Sequence, residues 1–268
     1  MDLKTADILR KLNNDFYREQ SATFAATRQA PWPGWQRCLE RGRGVFPIST
    51  SYADEPHRTE TGKTPRPLSV FDLGCGNLRF EVFLTSRFPA IDFSFYAVDS
   101  CDDLLPETPA VSYQHLDVLE ALHQGQNLNA LLTAPACDLS VAFGLLHHVP
   151  LPEHRAEIMT TLVNQTRPGG RIIVSLWQFL RDPARAEKAQ VTHGRALREL
   201  GLPEGLDPGD YLLGWKNLPG VYRYCHSFSD TEVDALAASV ADQVTLVDRF
   251  SSDGRTGNLN TYLVLESL

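Results

Sequence analysis

The chain has 268 residues, of which 43% are hydrophobic, and this is enough to bury a full core near the upper size limit of one domain. Its 25 basic and 33 acidic residues give a net charge of −8, which argues against binding nucleic acid through overall charge alone. Its five cysteines form no CxxC pair and lack zinc-ligand spacing, and no apolar run is long enough to span a bilayer. We therefore expect a cytoplasmic protein with reduced thiols and no bound metal.

The N-terminal part of the chain predicts a helical cap followed by a loop. Apolar residues from Ile8 to Phe24 recur near helical spacing, and the string APWPGW (30–35) ends that pattern. Residues 41–67 are rich in Gly, Pro, Ser, Thr and charge, which predicts a mobile loop because little apolar surface can be buried there. The expected organisation is a cap at 1–40, a loop at 41–67 and one domain at 68–268.

Strand and helix patterns alternate after residue 68. The apolar runs LSVFDL, FSFYAV, VSYQHL and CDLSVAF predict parallel strands in a sheet covered on both faces. A helix over 152–166 leads into the strand RIIVSLW, and the polar, Gly- and Pro-rich segment 178–225 predicts an irregular insertion on the substrate side. The string SDTE has capping-box spacing and opens a helix to about Val240, which is followed by strands near VTLVDRF and NTYLVLE.

The stretch VFDLGCGNLRF predicts a buried strand, a glycine turn and a helix. Gly74 and Gly76 are present, but the third glycine of a dinucleotide-binding turn is missing, and Asp72 would repel a diphosphate. A carboxylate beside open backbone favours a ligand that carries an ammonium and a sulfonium. The turn therefore points to S-adenosylmethionine.

Carboxylates at the ends of the next two strands extend this interpretation. Asp99 ends the second strand, 23 residues beyond Gly76, where it can accept both hydroxyls of a ribose. Asp117 follows the third strand and is expected to accept the adenine amino group while Val118 packs against the ring. A helix cap is the alternative role for each aspartate.

The segments FDLGCGNLRF, YAVDS, HLDV, DLSVAFGLLHHV and RPGGRIIVSLW resemble the motifs of the Rossmann-like (class I) S-adenosylmethionine-dependent methyltransferases. This resemblance covers Leu68 to Trp177. It implies a doubly wound α/β fold with a seven-stranded, mostly parallel sheet whose last strand is antiparallel and lies between the fifth and sixth. It also implies S-adenosyl-L-methionine as cofactor, bound by Asp72, Gly74, Cys75, Gly76, Asn77, Asp99, Ser100, Asp117, Val118, Phe143, Gly144 and His148.

A finer resemblance lies outside this core. NNDFYREQSATFAATRQAPWPGW is similar to the N-terminal segment of the eukaryotic wobble-uridine (carboxymethyluridine) tRNA methyltransferases, which carries F-x-x-T-R-x-x-P-W-P. GDYLLGW and YRYCHSF resemble that family's substrate-side segment, and GNLNTYLVLE resembles its final strand. The family esterifies the carboxylate of a modified uridine in the tRNA anticodon stem-loop, together with a small zinc-binding activator protein. The resemblance implies such a substrate and such a partner.

The catalytic residues expected for this reaction are Arg28, Arg223 and His147. A carboxylate acceptor has a pKa of about 4, so its methylation needs alignment and no base. A guanidinium can hold a carboxylate through paired hydrogen bonds, which makes Arg28 and Arg223 the expected clamps, with a solvated or structural ion pair as the alternative. His147 is expected as a general base with a pKa near neutrality, as a hydrogen-bond donor to the acceptor, or as a packing neighbour of the methionine moiety.

Several alternatives remain open from the sequence. Tyr17, Phe24 and Trp32 are candidates for a lid over the adenosine, Trp177 is expected in the core, and the basic residues of 41–67 are candidates for a second lid. The acidic charge and the enclosing insertions favour a small-molecule O- or N-methyltransferase as a second function. A cofactor-binding subunit without turnover is the third.

Overall fold

A computed structural model describes residues 1–40, 66–106, 111–202 and 206–268. The expected loop 41–67 lies outside the described residues except for its last two. The strands are β1 (Leu68–Leu73), β2 (Phe93–Asp99), β3 (Ser112–His115), β4 (Cys137–Phe143), β5 (Thr166–Trp177), β6 (Asp210–Gly214), β7 (Tyr222–His226), β8 (Val244–Ser252) and β9 (Asn260–Ser267). The helices are α1 (Leu3–Ala25), α2 (Pro33–Glu40), α3 (Arg79–Arg87), α4 (Val118–His123), α5 (Leu128–Leu131), α6 (Pro152–Asn164), α7 (Pro183–Leu200) and α8 (Asp230–Ala238).

Seven strands form one sheet in the order β3-β2-β1-β4-β5-β9-β8. The first five pair in parallel, while β9 runs antiparallel to both β5 and β8 and lies between them. The predicted fold, a doubly wound sheet with an antiparallel last strand between the fifth and sixth, is therefore confirmed.

The sheet is buried on both faces, as its continuous apolar strands require. Phe71 packs with residues of α4, α5, α6 and α8, whereas its neighbour Val70 packs on the opposite face with residues of α2 and α3. Both side chains are fully buried. This arrangement fixes the carboxyl ends of β1, β2 and β4 along one edge of the sheet.

The segment 178–225 is more regular than its composition predicted. Asp182 caps α7 by accepting from the backbone N–H groups of Ala184 and Arg185, and Gly201 ends that helix in the left-handed region at φ 62°. The β6–β7 hairpin follows, and Leu212 and Tyr224 of this hairpin are fully buried against α1 and α7. The expectation of an irregular insertion is wrong because this hairpin and the two helices bury a core of their own.

The N-terminal cap is one long helix and one short helix. Helix α1 packs on β7 and α4, and it begins at Asp2, whose carboxylate accepts from the N–H of Thr5. Helix α2 begins at Pro33, inside the string that was expected to end the helical pattern. The predicted capping box is present, because Ser229 and Glu232 bond each other's backbone N–H groups at the start of α8. Among the described residues, no helix is long and apolar enough to cross a membrane.

Candidate functional site

A cavity of about 380 Å³ opens at the carboxyl ends of β1, β2, β3 and β4, and α1 and the β7 hairpin close its other side. Its volume is within the range usual for small-ligand sites. All but one of the residues expected at the site lie on its wall: Arg28, Gly74, Cys75, Gly76, Asn77, Asp99, Ser100, Asp117, Val118, Phe143, Gly144, His147, His148 and Arg223. The exception is Asp72.

The glycine turn has the backbone that a close ligand approach needs. Gly74 and Gly76 have φ values of 80° and 55°, and nothing lies within 4 Å of where a side chain at Gly76 would begin. Leu78 also has a left-handed φ of 57°, which costs a leucine about 1 kcal/mol. Leu78 is nevertheless buried beside Cys75 and Ala97, and this burial offsets the strain.

Asp99 is held in place by the backbone of the glycine turn. Its Oδ2 accepts from the N–H of Gly76 at 2.8 Å, and its Oδ1 accepts from the N–H of Cys101 at 3.0 Å. Burial raises the pKa of the Asp99 carboxyl. Because a carboxylate can accept about four hydrogen bonds, both oxygens keep capacity for ligand hydroxyl groups.

Asp72 lies beneath the turn and does not line the cavity. It is 3% exposed and pairs with Glu81 of α3, which is 4% exposed. Burial raises the pKa of Asp72, to which the neighbouring Glu81 carboxyl also contributes, and burial raises the pKa of Glu81 to about 7. The expected direct contact of Asp72 with a cationic ligand is wrong, because Asp72 faces a second acid inside the fold.

Asp117 is a helix cap with no free acceptor position. Its Oδ1 accepts from the backbone N–H groups of Leu119 and Glu120. Its Oδ2 accepts from Arg10 at 2.6 Å and from the side-chain amide of Asn14 at 2.7 Å. The four bonds fill the acceptor capacity of a carboxylate, so the expected bond from Asp117 to an adenine amino group is not available.

Arg223 is a buried cation on the opposite wall. It is 7% exposed, its closest hydrogen-bond partner is the Tyr17 hydroxyl at 3.5 Å, and its Nε has no partner. No carboxylate of the described residues pairs with it. Its guanidinium lies 5.3–5.9 Å from the ring centroids of Phe16, Phe24, Trp177 and Trp215. Aromatic faces stabilise a desolvated cation and leave its N–H groups available to an anion.

Four aromatic side chains with a role expected from the sequence lie on the wall of the cavity. Trp177 packs against the buried cluster of Phe179, Ala189 and Cys225, as expected of a core residue, and it also lines the cavity beside Arg223. Tyr17, Phe24 and Trp32 also line the cavity, each from the N-terminal cap.

Arg28 and Arg79 form a second cationic group near the glycine turn. The guanidinium of Arg28 lies 4.8 Å from the ring centroid of Phe24, and that of Arg79 lies over Trp32 and Trp35. Burial, with a smaller contribution from Arg28, lowers the pKa of Arg79 to about 10. Sequence reasoning missed Arg79, although its place directly after the glycine turn could have indicated it.

The two adjacent histidines are neutral. The N–H at Nδ1 of His148 donates to the carbonyl of Tyr224 at 3.0 Å, and its Nε2 accepts from the Tyr17 hydroxyl at 2.7 Å. Burial and the charge of Arg223 lower the pKa of His148 to about 3, and burial likewise lowers the pKa of His147 well below its usual value. The expected pKa near neutrality at His147 is therefore wrong.

Potential metal ligands of His147, His148 and Cys225 lie within 4.8 Å of one another, a convergence that sequence spacing did not indicate. Both ring nitrogens of His148 have protein partners, and burial raises the pKa of the Cys225 thiol to about 11. The nearby guanidinium of Arg223 would also repel a dication.

Sequence reasoning gave Asn13 no role, because this residue begins the string NNDFYREQSATFAATRQAPWPGW but lies outside its F-x-x-T-R-x-x-P-W-P pattern. Its side chain pairs with both backbone groups of Tyr224: Oδ1 accepts from the N–H at 2.8 Å, and Nδ2 donates to the carbonyl at 3.2 Å. This pairing fixes β7, and therefore Arg223, against α1.

The chain has the fold of S-adenosylmethionine-dependent methyltransferases. One such protein from Methanosarcina mazei superposes with a TM-score of 0.52 at 14% identity, over 76% of this chain and 94% of that structure. A Pyrococcus horikoshii protein has a TM-score of 0.50 at 14% identity, over 76% of this chain and 83% of that structure. No protein-family model matches the chain.

Among curated proteins, the chain is similar to the tRNA (carboxymethyluridine(34)-5-O)-methyltransferase ALKBH8 of Mus musculus, with 22% identity over 195 residues. The match covers 72% of this chain and 24% of that protein. The Macaca fascicularis protein of the same name is 24% identical over 166 residues, covering 60% of this chain and 19% of the relative. The chain therefore spans less than a quarter of the length of these relatives. Their names agree with the class predicted from the sequence.

Proposed function

We propose that this protein is an S-adenosylmethionine-dependent methyltransferase whose acceptor is a carboxylate, carried by a modified wobble uridine of tRNA. Gly74, Gly76 and Asp99 would hold the cofactor, with the backbone of the turn against its methionine moiety and the carboxylate of Asp99 on its ribose. The fold and the open backbone at Gly76 support this half of the proposal.

The observation that carries the choice of acceptor is Arg223. A buried guanidinium that has no carboxylate partner among the described residues is costly unless an anion binds to it. In this chain, Asn13 and Tyr17 hold that guanidinium on the cavity wall, and Arg28 adds a second positive charge. A carboxylate acceptor would supply the missing partner through paired hydrogen bonds.

The chemistry requires no proton transfer by the protein. S-adenosylmethionine, held by Gly74, Gly76 and Asp99, would supply an activated methyl group to an acceptor oxygen and leave as S-adenosylhomocysteine. The product is a methyl ester, and the role of the protein is alignment and exclusion of water. The pKa of about 3 at His148, lowered by burial, makes this imidazole a weak base, and burial raises the pKa of the Tyr17 hydroxyl to about 12, so both agree with a site that offers no effective base.

The tRNA acceptor is supported by the two relatives, whose names specify carboxymethyluridine at position 34. A small-molecule carboxylate is the alternative acceptor, and the net charge of −8 and the closure of the cavity by α1 favour it. The small zinc-binding activator stays a prediction. A subunit without turnover would bind cofactor and methylate nothing.

The test is methyl transfer from labelled cofactor to total tRNA and, separately, to a metabolite extract. We expect label in tRNA that mild alkali releases as methanol, because alkali cleaves a methyl ester but not an N-methyl or ether bond. Alkali-stable label would contradict a carboxylate acceptor. Label found only in metabolites would contradict tRNA as the acceptor. The absence of any label in spite of tight cofactor binding would favour a subunit without turnover.

The pH dependence provides an independent test. Because a carboxylate is ionised well above its pKa of about 4, kcat/KM should be flat from pH 6 to 9. An amine or hydroxyl acceptor would instead show a rate that rises with pH as the acceptor loses its proton. A steep rise over this interval would contradict the proposed acceptor.

A further inference from the structure

Helix α1 contacts the part of the cavity where the ends of β2 and β3 would enclose a nucleobase. Leu104, Leu116 and Val118 line this part with apolar surface, and Asn14 of α1 is the amide beside them on the wall. Asn14 lies in the string NNDFYREQSATFAATRQAPWPGW but outside its F-x-x-T-R-x-x-P-W-P pattern, and it is more than a hundred residues from Asp117, its partner in the fold.

The orientation of the Asn14 amide is fixed by its partner. Its Nδ2 donates to the carboxylate of Asp117 at 2.7 Å, and only the NH₂ end of an amide can make such a bond. Arg10 donates to the same oxygen at 2.6 Å and holds the Asp117 carboxylate in place. The amide is planar, so its Oδ1 points away from the carboxylate, and no group in the described parts of the chain donates to it.

Two acceptors near the expected base therefore differ in capacity. Asp117 has all four acceptor positions filled, two by backbone N–H groups of α4 and two by α1. Asn14 Oδ1 accepts from no group of residues 1–40, 66–106, 111–202 and 206–268, so both of its lone pairs are open to a ligand. A base that carries an exocyclic amino group needs an acceptor, and the carbonyl oxygen of Asn14 is the one with capacity.

We propose that Asn14 determines specificity for adenine by accepting from its amino group, and that Asp117 is a positioning residue that orients the Asn14 amide. This inference rests on the proposed cofactor. It assigns recognition of the base to the N-terminal helix instead of to the strand-end aspartate. A base with a carbonyl oxygen in place of the amino group would face Oδ1 as a second acceptor and be rejected.

The experiment compares calorimetric affinities for S-adenosylhomocysteine and S-inosylhomocysteine, in which a carbonyl oxygen replaces the amino group. The wild-type protein should prefer the adenine compound about 10- to 100-fold, since one unpaired buried polar group costs about 1–3 kcal/mol. Asn14→Leu should weaken the binding of S-adenosylhomocysteine about 10-fold and reduce the preference for the adenine compound to less than about threefold. Asn14→Ala serves the same purpose if the leucine variant does not fold.

Lys11→Leu is the matched control, one turn earlier on α1 with an exposed side chain, and it should leave both affinities unchanged. A wild-type preference that survives both Asn14 variants would overturn the assignment and leave the proposed cofactor intact. Equal wild-type affinity for the two compounds would do the same. Failure of the wild-type protein to bind either compound would overturn the cofactor and this inference together.

Discussion

The two halves of the cavity carry opposite charge and are built in different ways. The half formed by the ends of β1 and β2 presents Asp99, and it comes from one continuous stretch of chain. The opposite half presents Arg223 of β7, and Arg28, nearly two hundred residues away in the chain, lies near both Arg223 and the glycine turn because the N-terminal cap packs on β7. Each half suits one reactant, a cationic nucleoside on the acidic side and an anionic acceptor on the basic side.

The difference between the halves also concerns how their charges are supported. Backbone N–H groups of Gly76 and Cys101 hold Asp99, so its geometry depends on the local turn. Aromatic rings and the Tyr17 hydroxyl surround Arg223, so its geometry depends on packing between distant elements. We therefore expect substitutions in the N-terminal cap to leave the geometry of the acidic half, with Asp99, unchanged. The geometry of the basic half, with Arg223, should be sensitive to such substitutions.

The largest effect is expected from Asp99→Ala. This variant loses two charge-assisted hydrogen bonds to the cofactor, each contributing about 1.5–3 kcal/mol. The affinity for S-adenosylmethionine, measured by calorimetry, should therefore fall at least about 100-fold. Asp103→Ala, which removes an exposed carboxylate four residues further on, should have no effect. Unchanged binding by the Asp99 variant would contradict the assignment of the acidic half to the cofactor.

Arg223→Met should act on the other half alone. We expect kcat/KM for the acceptor to fall about 100-fold, because the paired hydrogen bonds to a carboxylate are lost, while the Kd for cofactor stays within about twofold. Arg181→Met provides the control, since Arg181 pairs with Asp230 on the surface. If cofactor affinity fell as much as acceptor turnover, the two halves would not be separate sites.

The smallest effect is expected from Glu81→Gln, which acts beneath the glycine turn of the acidic half. The pKa of Glu81 is raised by burial from 4.5 to about 7, so the folded state binds a proton that the unfolded state has released. The free energy of unfolding of the wild-type protein should therefore be highest below about pH 4.5 and should fall as the pH rises to about 7. The variant should be more stable than wild type at pH 8, by an amount on the order of 1–3 kcal/mol, and similar at pH 4.5.

Urea unfolding at pH 4.5 and at pH 8 measures the difference in free energy of unfolding between wild type and variant. Glu187→Gln, on the exposed face of α7, is the control. A stability difference that is the same at both pH values would show that Glu81 does not hold the extra proton.

The local structure of the acidic half was predictable because it depends on residues that are neighbours in sequence. Strand, turn and helix around Gly74 and Gly76 follow from apolar runs and glycine placement, and the spacing to Asp99 follows from one strand–helix–strand unit. The same local reasoning failed for Asp72 and Asp117. Whether a strand-end carboxylate faces a ligand, a second acid or a helix N-terminus depends on partners such as Glu81 and Arg10, which sequence spacing does not reveal.

The sequence by itself determined the sheet, the glycine turn and the presence of Arg28 and Arg223 in flanking segments, since periodicity and turn chemistry act over a few residues. Only the tertiary structure decided that Asn13 and Asn14 belong to the site, that Trp177 faces the cavity and that the histidines are neutral. The physical reason is that burial and hydrogen-bond capacity depend on every element packed around a group, and α1 reaches these groups only after the chain has folded.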